Sequence, residues 1–202
     1  MPDKIISFIA IAAIVIMIFG AYYFIDHEIA KQRSSIWDDF AKSIGAKHNT
    51  FSNFDHEEKI ACTTSHGEIV FRAWKEWSPI SKVTTSYTEV CGDYAGNIDF
   101  TIRRRDWVNS IGESLGLSHS IQTGNTRLNQ LYVVASNDTV AIQRYLHDKR
   151  LADMINTTVT GSLTASVNSR LISHKEQRFV EDPERLRALY DMMRVLMQHP
   201  PE

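Results

Sequence analysis

Cysteine, charge of one sign and signature loops are scarce in this sequence, and each scarcity excludes a class of function. Two cysteines, Cys62 and Cys91, among 202 residues are too few for a disulfide-stapled scaffold. The 22 basic and 24 acidic residues leave a net charge of −2. General nucleic-acid binders are clearly basic, so no nucleic-acid partner is expected. No Walker loop and no G-x-G-x-x-G occurs, which removes the common phosphate cradles. The eight histidines are scattered, and no two stand three or four apart. Asp55 with His56 and His147 with Asp148 are neighbours in sequence only and read as solvated surface pairs. No enzymatic activity, metal or cofactor is expected.

One long apolar run is present. Residues 5–25, IISFIAIAAIVIMIFGAYYFI, carry no charge. As a helix they would span roughly 30 Å, the thickness of a bilayer's hydrocarbon core. The run is too long for the apolar region of a signal peptide, and bulky Tyr22-Tyr23-Phe24-Ile25 follows the small pair Gly20-Ala21. Tyr22 and Tyr23 suit a membrane interface. The expectation is an uncleaved single-pass membrane anchor. Lys31, Arg33 and Lys42 outnumber Lys4 around it, which favours a cytoplasmic C-terminal domain.

Three segments follow from this reading: an anchor over 5–25, a juxtamembrane amphipathic helix over 26–45, and a domain over 46–199. Ile36, Trp37, Phe40, Ala41 and Ile44 form an apolar stripe at helical spacing, and Gly45 can end that helix. Strands are expected at 59–64, 68–75, 82–91, 98–104 and 128–136, and a hairpin at 159–173. Helices are expected from Asp106, from 139 to about 155, and after Asp182-Pro183, where Asp caps and Pro starts the first turn. About 175 residues beyond the anchor suffice for one cored domain. The fold class is α+β: an N-terminal transmembrane helix, then an antiparallel sheet packed by helices.

Three blocks carry a family resemblance: Trp37-x-x-x-Ala41-x-x-x-Gly45; the hairpin through Gly67 with Val83-Thr84-Thr85; and Thr123-Gly124-Asn125 followed by Tyr132-x-Val134-x-Ser136-x-Asp138. The chain resembles a widespread family of uncharacterised bacterial single-pass membrane proteins with one N-terminal helix and an α+β domain. The resemblance implies this architecture, a place in the bacterial inner membrane and no catalytic residues.

Candidate contact residues are few. Trp74 and Trp77, near a strand end, suit a partner surface. In Ile98-Asp-Phe-Thr-Ile-Arg-Arg-Arg105, alternation sends Arg103 outward with Asp99 and Thr101, turns Arg104 inward toward an acid such as Asp106, and leaves Arg105 at the turn. Arg103 and Arg105 are candidate membrane or partner contacts. Cys62, His66 and Cys91 match no zinc spacing. The two cysteines would lie two strands apart, about 9–10 Å, too far for a disulfide. The functional expectation is a membrane-anchored interaction or accessory protein that binds a protein partner. The alternatives are a ligand- or lipid-sensing module and, behind it, a hydrolase with an unfamiliar site.

Overall fold

The computed structural model describes the backbone of residues 2–51, 57–105 and 120–201. Within these ranges side chains are described from Ile14 onward, except those of Asp26, Thr50 and Phe51. The helix expected from Asp106 lies outside the described residues.

The chain begins with one continuous helix, α1 (Pro2–Ser43). As the lack of Pro and Gly between Gly20 and Gly45 leads one to expect, the run over 5–25 and the amphipathic segment after it form a single rod. Gly45 stops it at φ +68. The N–H of Ala46 donates to the Ala41 carbonyl and that of Gly45 to Lys42, the paired bonds of a Schellman end. Residues 14–25 are exposed on every side, while Trp37, Phe40 and Ala41 are buried in the domain. Among the described residues no helix is long and apolar enough to cross a membrane. Residues 5–13 of the expected span lie outside those whose side chains are described.

Eight strands of the described residues form one sheet. They are β1 (Lys47–Phe51), β2 (Glu57–Thr64), β3 (Gly67–Ser78), β4 (Val83–Asp93), β5 (Phe100–Arg104), β6 (Tyr132–Ser136), β7 (Ser162–Ser166) and β8 (Leu171–Glu176). Their order is β1-β2-β3-β4-β8-β7-β5-β6, with every neighbouring pair antiparallel. The remaining helices are α2 (Thr126–Leu131), α3 (Thr139–His147), α4 (Lys149–Thr158) and α5 (Pro183–Gln198).

Strand alternation separates two faces. One cross-strand row runs His48, Ile60, Phe71, Val90, His174, Leu163, Ile102 and Val134. Its apolar members are buried, and they form one core with Trp37 and Phe40 of α1, Leu128 of α2, Ile142 and Leu146 of α3, Leu151 and Ile155 of α4, and Leu186 to Met197 of α5. The adjacent row on the other face reads Lys59, Arg72, Glu89, Lys175, Ser162, Arg103 and Val133. Apolar-in and polar-out alternation is what an antiparallel sheet covered on one side requires.

Three element boundaries depart from expectation. Residues 128–131 are helical, because the Asn125 side chain accepts from the N–H groups of Arg127 and Leu128 and starts α2. The helix expected over 139–155 is two helices. Asp148 leaves helical geometry and caps α4 by accepting from Arg150 and Leu151. β1, KHNTF, carries almost no apolar alternation, because it is an edge strand with one neighbour.

Candidate interaction surface

The C-terminal turns of α1 fix the direction in which its exposed part leaves the domain. Phe40 packs edge-on against Phe71 and Tyr190. One turn back, Trp37 donates its indole N–H to the Val180 carbonyl at 2.9 Å. A further turn back, Arg33 pairs with Glu181 at 2.8 Å and lies over the Phe179 ring. Thr88 of β4 holds the same segment: its hydroxyl donates to the Arg178 carbonyl and accepts from the Val180 N–H. Moving backward along α1 from Phe40 to Arg33 therefore means moving from Phe71 toward Thr88 on the sheet. The exposed apolar part of α1 leaves at the end where β3 finishes and β4 begins.

β3 and β4 overrun their neighbours at that end. The last β2 partner is Glu58, opposite Ala73, and the last β8 partner is Glu176, opposite Thr88. Among the described residues, Trp74–Ser78 and Val83–Tyr87 pair only with each other. Trp74 and Tyr87 face each other across this ribbon on its outer side, with ring centroids 5.6 Å apart. The Lys175 ammonium sits over both rings, 4.8 and 4.1 Å from their centroids. Trp74 is thus half-buried within a cation–π stack. Trp77, by contrast, is exposed near the tip.

The three adjacent arginines separate. Arg103 falls in the outer row, between Ser162 and Val133, with its Nε buried and given no hydrogen-bond partner. Arg104 takes the inward position opposite Tyr132, and its backbone N–H donates to the Gly161 carbonyl. Arg105 is exposed and donates from Nε and Nη2 to the Asn129 carbonyl at 3.2 and 2.9 Å. Asp106, the acid expected beside Arg104, lies outside the described residues. Arg103 and Arg105 share one end of the sheet with Trp74 and Trp77. Four strand spacings separate the two pairs, about 19 Å at ~4.8 Å each, so they do not form one patch. The outer row itself shows a grouping that sequence reasoning missed. It sets Lys59, Arg72, Lys175 and Arg103 at one level of four strands, with Glu89 between Arg72 and Lys175. The signal was a basic residue at outward parity on four different strands, visible only once the strand order is known.

Two buried His–Glu pairs were also missed. Glu58, Thr88 and Glu176 lie in one inward row and are all buried. His48 Nε2 stands 2.7 Å from Glu58 Oε2. His174 Nε2 stands 3.2 Å from Glu176 Oε1, and Glu176 also meets Arg178 at 2.7 Å and the Arg185 guanidinium. Burial by itself pushes the Glu176 carboxyl up. The His174 hydrogen bond and charge, together with Arg185, outweigh that and hold it at about 2. Arg185 continues to the Thr158 carbonyl and to Thr160 Oγ1. Glu176 thus joins β8, the end of α4 and the start of α5. With its charge fully paired, it serves as a clamp between these elements. His174 and Glu176 share inward parity with Ile172, which was the available sequence signal.

Cys62 and Cys91 are free and buried on opposite faces of the sheet. Cys62 faces the core, near the Ile44 carbonyl and Tyr190 Oη. Cys91 faces outward among Glu89 and Arg72, and burial pushes its thiol up to about 12, with Glu89 adding to the effect. His66 is exposed in the β2–β3 turn. Among the described residues no three His, Cys, Asp or Glu side chains gather as a metal site. A reading of the chain as lacking G-x-S-x-G is corrected by Gly112-Glu113-Ser114-Leu115-Gly116, which fits it. It lies outside the described residues. The nucleophile elbow that gives this motif meaning sits on an α/β-hydrolase sheet, and the sheet here is antiparallel. A cleft of about 640 Å³ lies at the far end of the domain. Arg144, Tyr145, Arg150, Met154 and His199 are among its lining residues. No family model, curated protein or solved structure matches the chain.

Proposed function

We propose that this chain is a membrane-anchored accessory protein that binds a protein partner through its α+β domain. One observation carries the reading: α1 is apolar on every side over Ile14–Ile25, yet its last turns are locked into the core. A helix that is apolar all round needs cover from lipid or from a protein interior. The uncharged run over 5–25 has the length for lipid. Because α1 is unbroken, the domain would be held to the membrane by a rod and not by a loose tether.

The outer sheet face supports the choice of partner. Lys59, Arg72, Lys175 and Arg103 form a cationic row beside the Trp74–Tyr87 ribbon, with Glu89 as the row's one carboxylate. Such a row favours an acidic protein segment, with aromatic side chains as anchors. Proximity labelling from the C-terminal domain in native membranes tests the reading. A neighbour should be enriched repeatedly, and lost when Lys59 and Arg72 are both changed to Glu. Repeated recovery of the bait alone, or release of the full chain from membranes by alkaline carbonate, would sink it. The far-end cleft supports the sensing alternative, and saturable binding of a small anionic ligand there would favour that alternative.

A further inference from the structure

The β3–β4 ribbon ends in three exposed apolar residues: Trp77 at 61%, Ile80 at 95% and Val83 at 54% exposure. The turn itself is well formed. The Lys82 N–H donates to the Ser78 carbonyl at 2.9 Å, the Ser81 N–H donates to Ser78 Oγ at 3.3 Å, and Lys82 takes φ +55. An ordered two-stranded ribbon that projects past its sheet to hold apolar side chains in water calls for a surface to receive them.

Position indicates which surface. The ribbon runs five residues beyond its last flanking partners among the described residues, a projection of ~17 Å. α1 leaves the domain at the same end, with Arg33 beside Glu181 and Phe179 at the level of Thr88. The same ~17 Å measured back along a helix covers about 11 residues and reaches Tyr22. Trp77 has the strand parity of Phe71 and Ala73, so it lies on the face over which α1 passes. Chemistry agrees: Trp favours the membrane interface, Ile and Val favour the acyl boundary, and exposed Lys82 between them suits anionic headgroups.

We propose that the tip of the β3–β4 hairpin is a second membrane contact. Trp77, Ile80 and Val83 enter the interface at the depth of Tyr22 and Tyr23, and Lys82 meets anionic headgroups. The inference rests on the anchored reading of α1. A single helix leaves the domain free to rotate about the helix axis. A second contact fixes that rotation, so the cationic outer row always presents itself at the same angle above the membrane.

The test uses the full chain in vesicles of phosphatidylglycerol and phosphatidylcholine, with an environment-sensitive dye on Ile80→Cys or, in a separate sample, on Asn168→Cys in the β7–β8 turn. Position 80 should show blue-shifted emission and be quenched by brominated lipid, and position 168 should do neither. Lys82→Glu should lower the quenching at position 80 about twofold or more in phosphatidylglycerol and leave it unchanged in pure phosphatidylcholine. A water-like position 80 on a carbonate-resistant chain overturns the second contact and leaves the anchor standing. A chain that does not enter vesicles overturns both. Shielding of position 80 that appears only when another protein is added overturns the lipid assignment and makes the tip a protein contact.

Discussion

The indole N–H of Trp37 bonds to the carbonyl of Val180 across 143 positions of sequence. This one bond ties the long N-terminal helix to the segment that leads into α5. Trp37 is fully buried, with edge contacts to Phe71 and Phe179. Trp37→Ala should cost about 3–5 kcal/mol, because it removes a large core side chain and strands a buried carbonyl. Trp37→Phe, which keeps most of the packing, should cost about 1–2 kcal/mol. Urea unfolding of the detergent-solubilised chain measures both. Limited proteolysis adds a second readout: the Gly45–Ala46 joint should become cleavable in Trp37→Ala. A protected joint would mean that Phe40 and Ala41 hold α1 without Trp37.

Glu176 makes stability depend on acid. Its folded value of about 2 lies below the ordinary 4.5. Its contribution is therefore fully present above about pH 5 and is lost as pH falls from about 4.5 toward 2, on the order of 3 kcal/mol in all. Glu176→Gln should cost about 3–5 kcal/mol at pH 7, because it leaves Arg185 in a pocket built for an ion pair. The pair replacement Glu176→Leu with Arg185→Met should recover most of that loss and flatten the acid limb. Urea midpoints at pH 7, 5, 4 and 3 read all three proteins. A wild-type acid limb no steeper than that of the double variant would remove Glu176 as its source.

Much of the fold was legible where a local pattern and the tertiary environment agree. The Ile36–Ile44 stripe, the Asp182-Pro183 start and the Ile98–Phe100–Ile102 alternation each meet one continuous apolar surface. Legibility failed where a single capping side chain overrides periodicity. Asp148 splits α3 from α4 although Leu146 and Leu151 continue the apolar stripe on either side. The candidate site was less legible still. The arginine triplet attracts attention because its members adjoin, and the sheet sends Arg103 outward, Arg104 inward and Arg105 to a carbonyl of α2. The cationic row and the His174–Glu176–Arg185 clamp draw on residues tens of positions apart, and only strand order brings them together.

The cysteines should be chemically silent. They lie on opposite faces with one strand between them, so no disulfide can form without unravelling the sheet. With the Cys91 thiol pushed up to about 12, its thiolate fraction at pH 8 is on the order of one in ten thousand. Ellman's reagent should therefore find no thiol in the folded chain within minutes and two after denaturation. Fast labelling of Cys91 in the native protein would show that its part of the outer face opens.

Gly161 sits where the start of β7 meets both β8 and β5. It lies just before β7, opposite Glu176, and accepts the Arg104 N–H. A Cβ added there would collide with the backbone carbonyl oxygen of Lys175. A backbone obstacle cannot rotate away as a side chain can, so Gly161→Ala must push β7 from β8 at the point where Arg185 reaches Thr158 and Thr160. We expect a loss of about 2–4 kcal/mol, the range of overpacking with added strain. Gly124→Ala is the control. It carries its own strain at φ +78 but meets no atom, so it should cost about 1 kcal/mol. Hydrogen exchange gives the more specific readout: in Gly161→Ala, protection should fall first along the β7–β8 ladder from Ser162 to Ser166 and last in β2–β3. Uniform loss across the sheet would mean that the strands fold as one unit and that Gly161 matters only through global stability.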